Sequence, residues 1–173
     1  MARAKTGTTA KSAKKIYCDI LKCVGCKACE IACAVEHSGT KNIFGAVGES
    51  VRPQKRVNAE TVDGLVISLH CQHCADAPCV TACMSGALSK DKKTGATIQD
   101  PEKCVGCWMC VMTCPFGAIH RDVGRHIAVK CDLCPDREEY ACVAACPTGA
   151  LFAGTEADFK KTLDRLKEKG EKS

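Results

Sequence analysis

The chain has 173 residues, only 4% of them aromatic, a single tryptophan and a formal charge of +5. That length fits one domain or two small ones, and so few large side chains exclude a conventional apolar core of matching size. The absence of any run of 18 apolar residues excludes a membrane-spanning helix, and cations without interleaved aromatics exclude a nucleic-acid surface.

Residues 1–14 are rich in Ala, Thr, Ser and Lys and aperiodic, the composition of a disordered basic arm. The first fifteen residues hold Arg3, Lys5, Lys11, Lys14 and Lys15 and no acid, which makes this end the basic part of the chain, and a partner subunit is expected to hold the arm. It has neither an apolar signal core nor paired arginines, so a cytoplasmic location is expected. Lys15-Ile16-Tyr17-Cys18-Asp19-Ile20 reads as a short strand, with Cys18 a small buried apolar side chain.

A first block of cysteines follows, Cys23, Cys26, Cys29 and Cys33, spaced C-x2-C-x2-C-x3-C. Ala34-Val35-Glu36-His37-Ser38 extends its helix. In the longest cysteine-free stretch, residues 51–57 and 64–69 predict two strands around a turn at Asp63-Gly64. Gly45-Ala46-Val47-Gly48 lacks the pattern of a nucleotide-binding glycine loop. The second block, Cys71, Cys74, Cys79 and Cys83, widens the middle gap to four residues. The third, Cys104, Cys107, Cys110 and Cys114, repeats the first spacing and runs into Pro115. The fourth, Cys131, Cys134, Cys142 and Cys146, widens the middle gap to seven.

Blocks two to four end in one phrase: Met84-Ser85-Gly86-Ala87-Leu88, Pro115-Phe116-Gly117-Ala118-Ile119 and Pro147-Thr148-Gly149-Ala150-Leu151. This is an internal repeat in which glycine turns the chain after a short helix and Ala-Leu or Ala-Ile opens a strand. Hairpins are predicted for residues 87–90 with 96–100 and for 118–121 with 126–130. Residues 153–173 read as a helix docked on its own domain. Thr155 and Asp158 cap it, Phe159, Leu163 and Leu166 form its apolar stripe, and Lys160, Lys161, Asp164, Arg165 and Lys167 face solvent.

Sixteen of the seventeen cysteines thus fall into four blocks of four. Three cysteines two residues apart sit on a tight loop that can wrap a compact inorganic core. The fourth, expected to start a short helix, points away toward a neighbouring cluster, as in bacterial two-cluster ferredoxins. Blocks therefore work in pairs, and four of them predict four [4Fe-4S] clusters. Zinc asks for two C-x2-C pairs or histidine partners across a longer finger. Disulfides fit poorly, because x2 neighbours resist bridging and no secretory signal is seen. The clusters must stand in for a core, so folding is coupled to their assembly. Each oxidised cluster with its thiolates carries about −2, which brings the loaded protein to about −3.

His37, His70, His73, His120 and His126 form no ligand constellation in the sequence. His70 and His73 read as solvent-facing loop residues, with hydrogen bonding to cluster sulfur as the functional alternative. Trp108 reads as a shield over a cluster.

From Ile16 to Phe152 the chain resembles the four-cluster ferredoxin-like electron-transfer subunits of multisubunit redox enzymes. The most telling stretches are Cys71-Gln72-His73-Cys74-Ala75-Asp76-Ala77-Pro78-Cys79-Val80 and Lys130-Cys131-Asp132-Leu133-Cys134. That family includes the small subunits of DMSO reductase and formate dehydrogenase, the partner of carbon monoxide dehydrogenase and the polyferredoxin of tungsten aldehyde oxidoreductases. The resemblance implies an α+β fold of tandem 2[4Fe-4S] ferredoxin-like modules with short hairpins and helices, related by a pseudo-twofold axis. It puts blocks one and four in one module (15–33 with 125–152) and blocks two and three in the other (71–124). Residues 34–70 form an inserted strand and loop region.

The resemblance further implies four ligand sets. They are Cys23, Cys26, Cys29 with Cys146; Cys131, Cys134, Cys142 with Cys33; Cys71, Cys74, Cys79 with Cys114; and Cys104, Cys107, Cys110 with Cys83. Met84, where the other blocks have proline, departs from the pattern without touching a ligand. The implied role is a non-catalytic subunit passing electrons between a catalytic subunit and a second redox partner. The first choice of catalytic subunit is a tungsten or molybdenum aldehyde oxidoreductase, then carbon monoxide dehydrogenase, then a formate dehydrogenase or nickel–iron hydrogenase. The second partner is flavin- or NAD-linked. Rival readings are a free polyferredoxin and a cluster-stapled scaffold that self-associates.

Overall fold

The computed structural model describes residues 15–170. The basic arm over 1–14 lies outside the described residues, as do the side chains of Arg165, Leu166 and Lys167 on the C-terminal helix. Among the described residues the strands form four separate two-stranded antiparallel sheets. Strand β1 (Lys15–Cys18) pairs with β8 (Leu151–Gly154), so the two ends of the cysteine region close on one another. The other sheets are local hairpins: β2 (Asn58–Val62) with β3 (Leu65–Leu69), β4 (Leu88–Lys90) with β5 (Thr97–Gln99), and β6 (Ile119–Asp122) with β7 (Ile127–Lys130). Both repeat-derived hairpins lie where the sequence puts them.

The first strand of the inserted hairpin does not. The sequence predicts it over residues 51–57, but the paired residues are Asn58–Val62. The turn decides this. Asp63 and Gly64 both have positive φ (50° and 78°), as a tight two-residue hairpin turn requires. Val62 then pairs with Leu65, and counting back along β3 makes Asn58 the partner of Leu69. Pro53, with no N–H to donate, lies in the unpaired approach.

Six α-helices form among the described residues, those of blocks two to four kept short because each must end before its block's fourth cysteine. They are α1 (Ala28–Glu36), α2 (Ile43–Gly48), α3 (Pro78–Thr81), α4 (Met109–Thr113), α5 (Ala141–Ala144) and α6 (Glu156–Gly170). In blocks two to four the third cysteine, not the fourth, stands in the first turn, and the fourth follows the helix end. The spacing puts the helix start at the fourth cysteine, and the structure moves it to the third. The loop must leave the curl of the first two cysteines immediately after a left-handed residue, so the helix starts one position before the third. Lys27 (φ 59°) and Trp108 (φ 63°) are those left-handed residues in blocks one and three. Block one runs its helix on to Glu36, as expected.

Helix α1 packs on α5, and α3 on α4, so blocks one and four meet, as do two and three. The buried apolar side chains are small and few, and thiols stand among them. One cluster holds Ile16, Cys29, Cys33, Val57, Ala59, Cys71, Ala118, Cys131, Cys142 and Leu151. A second holds Leu88, Cys110, Ile119 and Ala128. The repeated Ala87-Leu88, Ala118-Ile119 and Ala150-Leu151 pairs are all buried. Helix α6 begins with Thr155 N–H donating to Asp158 Oδ2 at 2.9 Å and Asp158 N–H donating to Thr155 Oγ1 at 3.4 Å. Phe159 stacks on Tyr17 with ring centroids 4.6 Å apart, which docks the helix on the β1–β8 sheet.

Candidate metal centre

All seventeen cysteines are unbridged. In blocks one and three the Val-Gly-Cys phrase puts Gly25 (φ 68°) and Gly106 (φ 64°) in the left-handed region just before the second cysteine. An L side chain there is strained, and at Gly106 a Cβ would meet His126 O at 2.5 Å and its Nδ1 at 2.2 Å. The curl is therefore dictated locally, by glycine in the middle of the C-x2-C.

The fold gathers the thiols in sets that cross between blocks. One cavity is lined by Cys23, Cys26, Cys29 and Cys146. Another is lined by Cys83, Cys104, Cys107 and Cys110, with Trp108 on its wall. Burial pushes the Cys142 thiol far up, and nearby Cys131, Cys33 and Cys134 push it further. Burial raises Cys79 as well, with Cys71 and Cys114 adding to the effect. The Cys131 thiol, pushed up to about 12 by burial, has both Cys71 and Cys33 close by. Gathered, buried thiols with raised proton affinities are costly as bare thiolates, and metal ligation offsets that cost.

The donor atoms fit an iron–sulfur group. Each of the two cavities offers four sulfurs. Backbone N–H groups already point at thiol sulfur: Arg56 N to Cys33 at 3.3 Å, Ala118 N to Cys114 at 3.4 Å and Ala128 N to Cys104 at 3.4 Å. Hydroxyls lie close as well, with Ser68 Oγ 3.7 Å from Cys29, Ser85 Oγ 3.7 Å from Cys83 and Thr148 Oγ1 3.8 Å from Cys146.

Two histidines depart from expectation. His70 and His73 do not face solvent; each is only 3% exposed. They follow β3 into the cysteine loop. His70 Nδ1–H donates to Ser68 O at 3.1 Å, and His73 Nδ1 accepts from Thr97 N at 3.0 Å. Each Nε2 has no protein partner. With Nδ1 accepting, His73 carries its proton on Nε2, an orphaned buried donor beside Cys74 that suits a sulfide acceptor. Burial lowers both rings, His70 to about 4 and His73 to about 3.

A polar network missed in the sequence closes the block-four loop. His37 Nδ1–H donates to Cys33 O at 2.7 Å and its Nε2–H to Asp132 at 3.2 Å. Two acceptors require both ring nitrogens protonated. Burial works against that charge, but the bonds to Asp132 and Cys33 outweigh it and raise His37 to about 9. Arg56 binds the same carboxylate, and Asp132 Oδ1 caps Cys134 N–H at 3.1 Å. Opposed by burial, His37 and Arg56 hold Asp132 below the ordinary carboxylate range. The only sequence signal was Asp132 lying between two cysteines. Cys18, read as buried, is half-buried and packs against the first apolar cluster.

Residues 62–156 match the model of the 4Fe-4S dicluster domain. The protein belongs to that family. The match spans blocks two to four and leaves block one outside it. Among its relatives, the Electron transport protein HydN of Escherichia coli K12 is 39% identical over 155 residues, covering 79% of this protein and 85% of HydN. The Thiosulfate reductase electron transfer subunit PhsB of Salmonella typhi is 34% identical over 141 residues, covering 79% and 72%. The B subunit of anaerobic dimethyl sulfoxide reductase of E. coli K12 is 32% identical over 154 residues, covering 84% and 75%. The family is thus one of iron–sulfur electron-transfer subunits of oxidoreductases, which carry electrons and leave bond-making to others.

Proposed function

We propose that this protein carries electrons one at a time through four [4Fe-4S] centres, between a catalytic oxidoreductase subunit and a second redox partner. The observation that carries the reading is that two cavities each bring together three cysteines of one block and one of another. The ligand sets we propose are Cys23, Cys26, Cys29 and Cys146; Cys131, Cys134, Cys142 and Cys33; Cys71, Cys74, Cys79 and Cys114; and Cys104, Cys107, Cys110 and Cys83. Blocks one and four then form one module and blocks two and three its pseudo-twofold mate, with residues 34–70 inserted and 153–170 appended. The packing of α1 on α5 and of α3 on α4 supports this pairing.

When loaded, each centre supplies a one-electron store. The protein's part is to hold the centres in order, keep water from the inner ones and open the outer ones to partners. The block-one and block-four sets adjoin through Cys29 and Cys142. The block-four and block-two sets adjoin through Cys131 and Cys71. Cys114 packs against both apolar clusters and so reaches the block-three set. Only Cys26 and Cys107 among the cysteines are exposed. They belong to the two outer sets, which are thereby the ports for donor and acceptor.

The thiosulfate reductase and dimethyl sulfoxide reductase subunits among the relatives support a catalytic oxidoreductase partner, for which a tungsten or molybdenum aldehyde oxidoreductase remains our first choice. The cytoplasm is the compartment we assign, since reducing conditions keep thiolate ligands intact. Among the described residues no helix is long and apolar enough to cross a membrane.

Anaerobic iron and sulfide analysis should return about sixteen irons per polypeptide. Cys23→Ala and Cys146→Ala should then alter the same electron paramagnetic resonance signal. Different signals for these two variants would dissolve the cross-block sets, and far fewer irons would remove the wire.

A further inference from the structure

Lys130 ends strand β7 immediately before the fourth block, yet it is only 2% exposed. Its ammonium donates to Thr97 O and, at 2.6 Å, to Cys131 O. Among the described residues no carboxylate pairs with it. Asp132, the acid next along the chain, is already held by Arg56 and His37. Lys90 repeats the arrangement, donating to His73 O at 3.2 Å and Cys74 O at 2.7 Å, again with no acid. Carbonyl oxygens orient an ammonium but do not neutralise it, and an uncompensated buried cation is costly.

The sulfurs provide the missing anion. Lys130 lies near Cys131 of one inner set and Cys79 of the other. Lys90 lies near Cys71, Cys74 and Cys79. Neither outer cavity has a buried lysine on its wall; Lys27, at one of them, is exposed.

We propose that Lys130 and Lys90 are fixed counter-charges that raise the reduction potentials of the two inner centres above those they would otherwise have. This rests on the four-centre reading given under Proposed function. Each transfer oxidises the donor by one electron and reduces the acceptor by one, with no bond made or broken. The reduced state is more negative by one charge, so an adjacent ammonium in a low-dielectric interior favours it. Lys130 lies near both inner sets and acts on both; Lys90 acts on the block-two set alone.

The test is a redox titration of anaerobically purified full-length holo-protein, followed by electron paramagnetic resonance. Lys130→Met should lower the reduced-to-oxidised ratio of two centres at least tenfold at fixed potential, about 59 mV for a one-electron couple. Lys90→Met should shift one centre in the same direction, and Lys130→Arg should stay at the wild-type values. Unchanged potentials in both methionine variants, with four centres loaded, overturn the proposal. Where Lys130→Met does not load fully, the partly exposed Lys90→Met decides: one shifted centre supports the assignment and none refutes it. Wild-type protein without four reducible centres would instead refute the electron-transfer reading, and this inference with it.

Discussion

Two left-handed glycines in different turns of the third block separate conformational strain from collision. Gly106 and Gly117 both have positive φ, but a Cβ at Gly117 meets open space, whereas at Gly106 it meets backbone and ring atoms of His126. Gly117→Ala should cost about 1–2 kcal/mol from the left-handed conformation alone. Gly106→Ala adds a clash with a carbonyl that cannot turn aside, so it should lose the block-three centre. Visible absorbance and iron content of the two purified variants distinguish the cases; equal loading would mean that the Gly106 loop yields more easily than its geometry indicates. Glu30 acts at the same scale. It accepts from Ala59 N at 2.7 Å and from Lys55 Nζ at 2.7 Å, tying α1 to β2. Glu30→Ala leaves the Ala59 N–H buried and unpaired, at about 1–3 kcal/mol. Faster amide exchange at Ala59, with the iron count unchanged, is the expected signature.

At the scale of elements, α3, α4 and α5 are four or five residues long, and each carries the third cysteine of its block in its first turn with the fourth just past its end. Helix α6 is different. It carries no cysteine and is attached by its cap and by Phe159 on Tyr17. Phe159→Ala removes a stacked pair worth about 0.5–1.5 kcal/mol beyond its buried area. It should fray α6 while leaving the iron content and the visible spectrum unchanged, which amide exchange along residues 156–164 would register. A loss of iron in that variant would mean that α6 helps to hold the block-one and block-four module closed. The inserted hairpin shows how an element's place can be hidden in the sequence. The hydrophobic pattern marks residues 51–57, but a two-residue turn counts pairs outward from itself and selects Asn58–Val62. Val57, buried but unpaired, packs into the core just ahead of the strand.

At the scale of the molecule, sulfur replaces hydrocarbon. The interior is assembled from alanines, a few branched side chains and cysteines, and four two-stranded sheets cannot sustain it alone. Removing iron with a chelator under reducing conditions should therefore abolish most of the circular dichroism signal. An apo-protein that still unfolds cooperatively would show that the small apolar clusters suffice without metal.

The cysteine spacings, the three repeated Gly-Ala-Leu/Ile phrases and the capped last helix were legible in the sequence because each is a local rule. Spacing sets a loop, glycine permits a turn, and a hydroxyl followed by an acid three residues on closes a helix start. What the spacing could not decide is which side chains are covered once hairpins and loops fold over one another. His70 and His73 look like loop histidines until β3 carries them inside, and Lys130 looks like a strand-end cation until the β4–β5 hairpin caps it with Thr97 O. The links from His37 to Asp132 and from Arg56 to the same carboxylate span 95 and 76 residues. Burial and long-range pairing depend on the whole path of the chain, and so belong to the tertiary structure alone.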